Sequence, residues 1–206
     1  TAIATVVMAL PFILFAGFFG AIADRYSKKD IAVWVKYLEV AIVVLGIGGF
    51  YFQSPYFLYG VLFAIGCHSA LFGPAKYGIL PETLPEDHLS WSNGVVQMTT
   101  MLSVILGQVI AGPIFQALGT SRTFLAGFLL LTLTCVGVVT SWSITRPEPA
   151  NPRQRFPINP WQGMSRDLST IWKNRWLRMI AFGYTYFWFA GTILLSAVMD
   201  LRGALQ

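Results

Sequence analysis

The chain has 206 residues, 55% of them hydrophobic and only 11% charged, with a mean hydropathy of +0.62 and a formal net charge of +5. Soluble domains carry about a quarter charged residues, so this composition excludes a single water-soluble globular core. The positive balance does not mark a nucleic-acid surface either, because the cations gather in short stretches between apolar runs.

A transmembrane helix needs ~20 mostly apolar residues. Six stretches reach that length: 1–23, 31–52, 56–75, 93–118, 123–145 and 177–199. They are continuous rather than alternating every other residue, which argues against barrel strands. In lipid their backbone groups must be bonded within the segment, so they are helices. The predicted class is an all-α polytopic membrane protein with about six transmembrane helices. It is expected to be a fragment, lacking at least one helix before Thr1 and more after Gln206. Residues 1–145 form a helical bundle, 146–176 a Pro-rich loop with an amphipathic helix, and 177–206 the first helix of a second bundle.

The first loop reads Gly20-Ala-Ile-Ala-Asp24-Arg25-Tyr-Ser-Lys28-Lys29, a basic turn between two apolar runs. It resembles the signature loop between the second and third helices of major facilitator superfamily transporters, written G-x-x-x-D-R-x-G-R/K-K, with Ser27 in place of the second glycine. The resemblance implies a conformational latch made of Gly20, Asp24, Arg25, Lys28 and Lys29. There, Asp24 would meet a helix N-terminus of the other half in one state of the cycle. It also numbers the six segments as helices two to seven of that fold.

Within the second run, Lys36 and Glu39 stand at i, i+3 on neighbouring faces of one helix. Glu39 lies ~13 Å along the axis from Asp30, well into the hydrocarbon. Such residues are functional candidates, yet the resemblance makes this helix peripheral, so a local ion pair that hides both charges is expected.

The third and fourth runs carry Gly66-Cys-His68-Ser-Ala-Leu-Phe72-Gly73-Pro74-Ala-Lys76-Tyr77-Gly-Ile-Leu80-Pro81-Glu82, then Asn93-Gly94. Gly73-Pro74 is expected to break or kink the helix near its cytoplasmic end. The F-G-P-x-K-Y-x-I-L-P string closely resembles the bacterial lysophospholipid transporter family, whose sequence also occurs as the membrane half of fused acyltransferase/acyl-carrier-protein synthetases. His68, Phe72 and Lys76 recur every four residues and form a drifting stripe, which the resemblance sets along the central cavity. Lys76 would meet the phosphodiester of a lysophospholipid; alternatively it snorkels to the cytoplasmic interface. His68 is either a packed, hydrogen-bonded histidine or a proton-coupling group. Tyr77, Gln97, Thr100 and Gln108 supply neutral hydrogen bonds for a headgroup.

Gly107-Gln-Val-Ile-Ala-Gly112-Pro113 resembles the Gly-rich stretch of facilitator fifth helices, but Ile114-Phe115 depart from its antiporter form. Cys67 and Cys135 fall in separate runs and read as small packing residues. Beyond the fifth run, Pro147, Pro149, Pro152, Pro157 and Pro160 preclude regular helix. Trp161, Met164, Leu168, Ile171 and Trp172 then share a helical face suited to the headgroup plane. In the last run Tyr184 and Trp188 pair at i, i+4.

Ten of the fourteen cations lie in the first, third and fifth loops, and Arg178 lies just past the end of the fifth. By the positive-inside rule, loops 24–30, 76–92 and 146–176 are cytoplasmic. Together these readings predict a secondary transporter of the bacterial inner membrane that flips lysophospholipid, such as lysophosphatidylethanolamine, for re-acylation. The partners would be that substrate, membrane lipid and a cytoplasmic acyltransferase/acyl-carrier-protein synthetase, with no nucleic acid. A proton-coupled exporter of drugs or small metabolites is the alternative. An acyltransferase active site would need H-x-x-x-x-D; Gly73 follows His68 and Asn93 follows His88 at that spacing. No metal ligand set or cofactor motif is legible.

Overall fold

The computed structural model describes residues 2–119, 122–153 and 160–204, with side chains described only in part within 160–204. Seven helices follow in order: α1 Ala2–Arg25, α2 Lys28–Tyr51, α3 Pro55–Thr83, α4 Glu86–Leu118, α5 Phe124–Trp142, α6 Pro160–Lys173 and α7 Arg175–Ala204. Among the described residues, α1 to α5 are long and apolar enough to cross a membrane. The sixth expected span, 177–199, falls inside α7. The chain divides into two units, Thr1–Pro160 and Trp161–Gln206.

Several expected loops are much shorter than the hydropathy pattern suggested. The 24–30 loop contracts to Tyr26 and Ser27, because Lys28, Lys29 and Asp30 already belong to α2. The expected loop 76–92 is mostly helix: α3 runs on to Thr83 and α4 begins at Glu86, leaving Leu84 and Pro85 between them. Two causes account for this. A helix of 29 residues spans ~43 Å and extends past a ~30 Å hydrocarbon layer, where polar residues suit a helix well. In addition, Glu86 and Asp87 occupy the first turn of α4, where carboxylates favour the positive end of the helix dipole. Nor does Gly73-Pro74 end α3, which contains both Pro74 and Pro81. Each proline removes one N–H, a loss that membrane helices tolerate.

The turn between α2 and α3 is closed by Ser54. Its hydroxyl accepts a hydrogen bond from Phe57 N at 3.4 Å, with Pro55 opening the helix. Gly119, at φ +63°, closes α4 in the left-handed region that glycine enters without strain.

In the first unit α1 packs along α3, and α2 packs along both α3 and α5; α4 touches α3 and α5 only lightly. The tight centre is small: Ala23, Ile31, Val35 and Ala75, flanked by Ile22, Leu71 and Phe72. Close approach depends on missing side chains, as is usual where lipid offers helices no hydrophobic drive to associate. A Cβ at Gly66 would sit 2.8 Å from Pro11 Cγ, so α1 crosses α3 at glycine. Most large apolar residues are exposed, Trp34, Ile105 and Val109 among them, as suits helices long and apolar enough to cross a membrane.

In the second unit, Asn174 separates α6 from α7 and caps α7. Its Oδ1 accepts from Trp176 N at 3.0 Å and Leu177 N at 3.3 Å. Arg178 donates to Trp172 O at 3.1 Å and lies over that ring. Tyr184 and Trp188 do pair, with ring centroids 6.1 Å apart. The expected amphipathic segment is helical as α6, and its Leu168 and Trp172 are exposed. The side chains of Trp161, Met164 and Arg166, and residues Arg155 and Pro157, lie outside the described residues.

Candidate functional site

Three polar groupings stand out in the first unit, and α3 contributes to each. The first is a seam between α3 and α4. Lys76 Nζ donates to Thr100 Oγ1 at 2.6 Å, and Tyr77 OH donates to Gln97 Oε1 at 3.1 Å. Gln97 and Thr100 are one helical turn apart, which lets consecutive residues of α3 each find a partner. The Lys76 ammonium also lies 5.6 Å from the Tyr77 ring centroid. Among the described residues no carboxylate lies within ion-pair distance of Lys76. A cation held by a hydroxyl and a ring, without a counterion, keeps its attraction for an incoming anion. Gln108 is not part of this seam: it is exposed, eight residues and ~12 Å further along α4.

The second grouping joins α2 to α3 inside the membrane span. Lys36 Nζ pairs with Glu39 Oε2 at 2.7 Å, the local pair expected from the i, i+3 spacing. His68 adds a third member, its Nε2 3.5 Å from the same carboxylate oxygen but without hydrogen-bond geometry. The His68 ring stacks on Phe72 at 6.1 Å, and the Lys36 ammonium lies 5.7 Å from the Phe72 ring centroid. The predicted stripe is therefore split, with His68 and Phe72 turned to α2 and Lys76 to α4. Eight residues at 100° each overshoot two full turns by about 80°, enough to change the facing neighbour. Glu39 and His68 line a mostly apolar cavity of about 520 Å³ between α2, α3 and α5, together with Ser69, Thr123 and Thr134.

The third grouping surrounds the signature turn. Lys28 forms a buried ion pair with Glu82 at the end of α3, its stem lying across Gly78, where a Cβ would stand 3.1 Å from Lys28 Cδ. Lys29 Nζ donates to Trp142 O at 2.8 Å, at the end of α5. Ser27 Oγ donates to Pro147 O at 2.9 Å, Arg146 Nη2 meets Asp30 Oδ2 at 2.6 Å, and Asn151 N donates to Asp24 O at 2.8 Å. Arg25 lies over the Tyr26 ring at 5.8 Å. A Cβ at Gly20 would meet nothing within 4 Å. Ser27 replaces the glycine of the motif without strain, because its φ is −57°.

Sequence reasoning named Lys28 and Lys29 but missed Glu82, Asp30, Arg146 and Pro147 as their surroundings. The signal available for Glu82 was its place at the end of the recognised string. Nothing local marked the Pro-rich stretch as a partner of a turn more than a hundred residues earlier.

The Major Facilitator Superfamily profile matches residues 1–204. Lysophospholipid transporter LplT of Klebsiella pneumoniae is 31% identical over 185 residues, 89% of this chain and 44% of that protein. The LplT of an Escherichia coli strain is 29% identical over 188 residues, and that of Pectobacterium carotovorum 27% over 187, again with 89% of this chain covered. The chain thus spans under half the length of these relatives. No solved structure matches it significantly.

Proposed function

This chain belongs to the Major Facilitator Superfamily, and on that premise we propose that it is part of a lysophospholipid transporter of the bacterial inner membrane. It is a multi-pass membrane protein of a secondary-transporter family, whose members work by alternating access around a site near the midplane. The observation that carries the cargo reading is the seam at Lys76, a cation without a carboxylate partner among the described residues, flanked by Tyr77, Gln97 and Thr100. Lys76 would bind the phosphodiester and the neutral groups would share its remaining oxygens. The apolar flank of α4 beyond the seam, with exposed Leu102, Ile105 and Val109, offers a wall to the single acyl chain. Similarity to the LplT proteins supports the same substrate class. Lysolipid delivered to the inner leaflet would pass to a cytoplasmic acyltransferase/acyl-carrier-protein synthetase.

Uptake and re-acylation of radiolabelled lysophosphatidylethanolamine by spheroplasts lacking their own lysolipid transporter tests this in the full-length parent. A charged hydrogen bond contributes about 1.5–3 kcal/mol, so Lys76→Ala should lower uptake about 10- to 100-fold at equal membrane abundance. Equal uptake by wild type and variant would reduce Lys76 to an interface residue, and no uptake by either would remove the cargo assignment.

A second reading, proton-coupled export of a drug or small metabolite, is favoured by Glu39 and His68 facing each other inside the membrane span. It requires that collapsing the proton gradient abolish transport, whereas the lysolipid reading places no such demand.

A further inference from the structure

The described start of the Pro-rich segment, Ile144–Asn151, stays against the bundle. From Ile144 to Asn151 it lies against the α1–α2 turn through three contacts: Ser27 Oγ to Pro147 O, Arg146 to Asp30, and Asn151 N to Asp24 O. Lys29, bonded to Trp142 O, adds a fourth tie at the root of the segment. Pro147 is the buried point of contact; Arg146 is largely exposed, with 68% of its side chain accessible. These ties are hydrogen bonds and an ion pair, the kind of contact that can exchange partners.

Behind this segment is an open cleft of about 520 Å³, lined on one side by Ile79, Glu82, Thr83 and Leu84 and on the other by Ile144 to Pro147. Glu82 gives one carboxylate oxygen to Lys28, while Oε2 is buried and has no hydrogen-bond partner among the described residues. An unmatched buried carboxylate oxygen is costly. Arg146 lines the same cleft, and its guanidinium has several donors in a fork suited to a carboxylate. One cation therefore stands between two carboxylates: Asp30, which it holds here, and Glu82, whose second oxygen is unmatched.

We propose that Ile144–Asn151 is a two-position clasp in which Arg146 exchanges Asp30 for Glu82. In the first position the segment pins the α1–α2 turn, with Asp24 tied by its backbone. In the second, Arg146 crosses the cleft and satisfies Glu82 Oε2, and the segment comes away from the turn. The signature turn is then free to move when the transporter changes state. The clasp depends on the alternating access of the family and not on the cargo, so it stands or falls separately from the lysolipid reading.

Pulsed electron paramagnetic resonance on the full-length parent in lipid nanodiscs tests it. Spin labels at Tyr26→Cys and Glu148→Cys, in a background without other cysteines, report the turn-to-segment distance and leave the four ties intact. Two distance populations are expected. Asp30→Asn should shift their ratio toward the second position and Glu82→Gln toward the first, each by about fivefold or more. Arg146→Gln should abolish the response to Asp30→Asn, which keeps the test decisive if Glu82→Gln fails to accumulate. A single narrow distance unmoved by Asp30→Asn, or an Asp30→Asn shift that persists in the Arg146→Gln background, would overturn the clasp.

Discussion

At the residue scale, α2 and α3 show how little separates a structural ion pair from a candidate binding group. Lys36 and Lys76 are both lysines in long apolar helices, yet Lys36 has Glu39 one turn away whereas Lys76, among the described residues, has Thr100 and the Tyr77 ring. Removing one member of the first pair leaves a charge in hydrocarbon, which costs about 2.5–3.5 kcal/mol near a helix centre. Lys36→Met and Glu39→Leu alone should therefore each lower membrane abundance several-fold, and the double variant should recover most of it. Quantitative immunoblotting of membranes would check this, with a double variant as poor as the singles as the contrary result. His68 must be retained in all three, since its imidazole faces the same carboxylate.

At the scale of elements, the decisive contacts are between helices separated by intervening segments. The α1–α3 crossing passes at Gly66 against Pro11, and the α2–α3 crossing brings Lys28 over Gly78. Neither glycine is needed for its backbone angles; Gly66 is needed because a side chain would meet Met8 O and Pro11, whereas at Gly78 it would meet the Lys28 chain alone. Gly66→Leu should separate α1 from α3 and destabilise the bundle by about 1–3 kcal/mol or more, the usual range for overpacking. The check is the thermal unfolding midpoint of the detergent-purified parent, which should fall for Gly66→Leu and stay near wild type for Gly20→Ala, where a Cβ meets nothing. A similar drop for both would remove the close-approach argument.

For the whole molecule, charge distribution and helix order give a single orientation in the membrane. The α1–α2 turn, the α3–α4 connection and the Pro-rich segment share one side, and the α2–α3 and α4–α5 turns lie on the other. With ten of fourteen cations in the first set of expected loops, we propose that this side is cytoplasmic. In intact spheroplasts a membrane-impermeant maleimide should react with Gln53→Cys but reach Glu148→Cys only after permeabilisation. The reverse pattern would invert the topology and place Lys76 in the outer half of the bilayer. The lysolipid reading depends on this orientation, because it sets Lys76 near the leaflet where re-acylation occurs.

Apolar run length, the signature loop and the string around Lys76 were local signals, and they sufficed for helix class, family and the candidate cation. The Lys36–Glu39 pair was likewise legible, because its partners are three residues apart on one helix. Helix ends were not: hydropathy marks the apolar part of a helix, whereas α3 and α4 extend into polar residues, with Glu86 and Asp87 favoured by the dipole in the first turn of α4. What only the tertiary structure decided was which residues meet across distance. His68 turned to Glu39 instead of the Lys76 seam, Glu82 took Lys28, and the Pro-rich segment folded back onto a turn more than a hundred residues earlier. Those pairings depend on helix rotation and crossing points, set by packing at Gly66, Gly78 and the Ala23–Val35–Ala75 centre, and no local pattern in the chain encodes them.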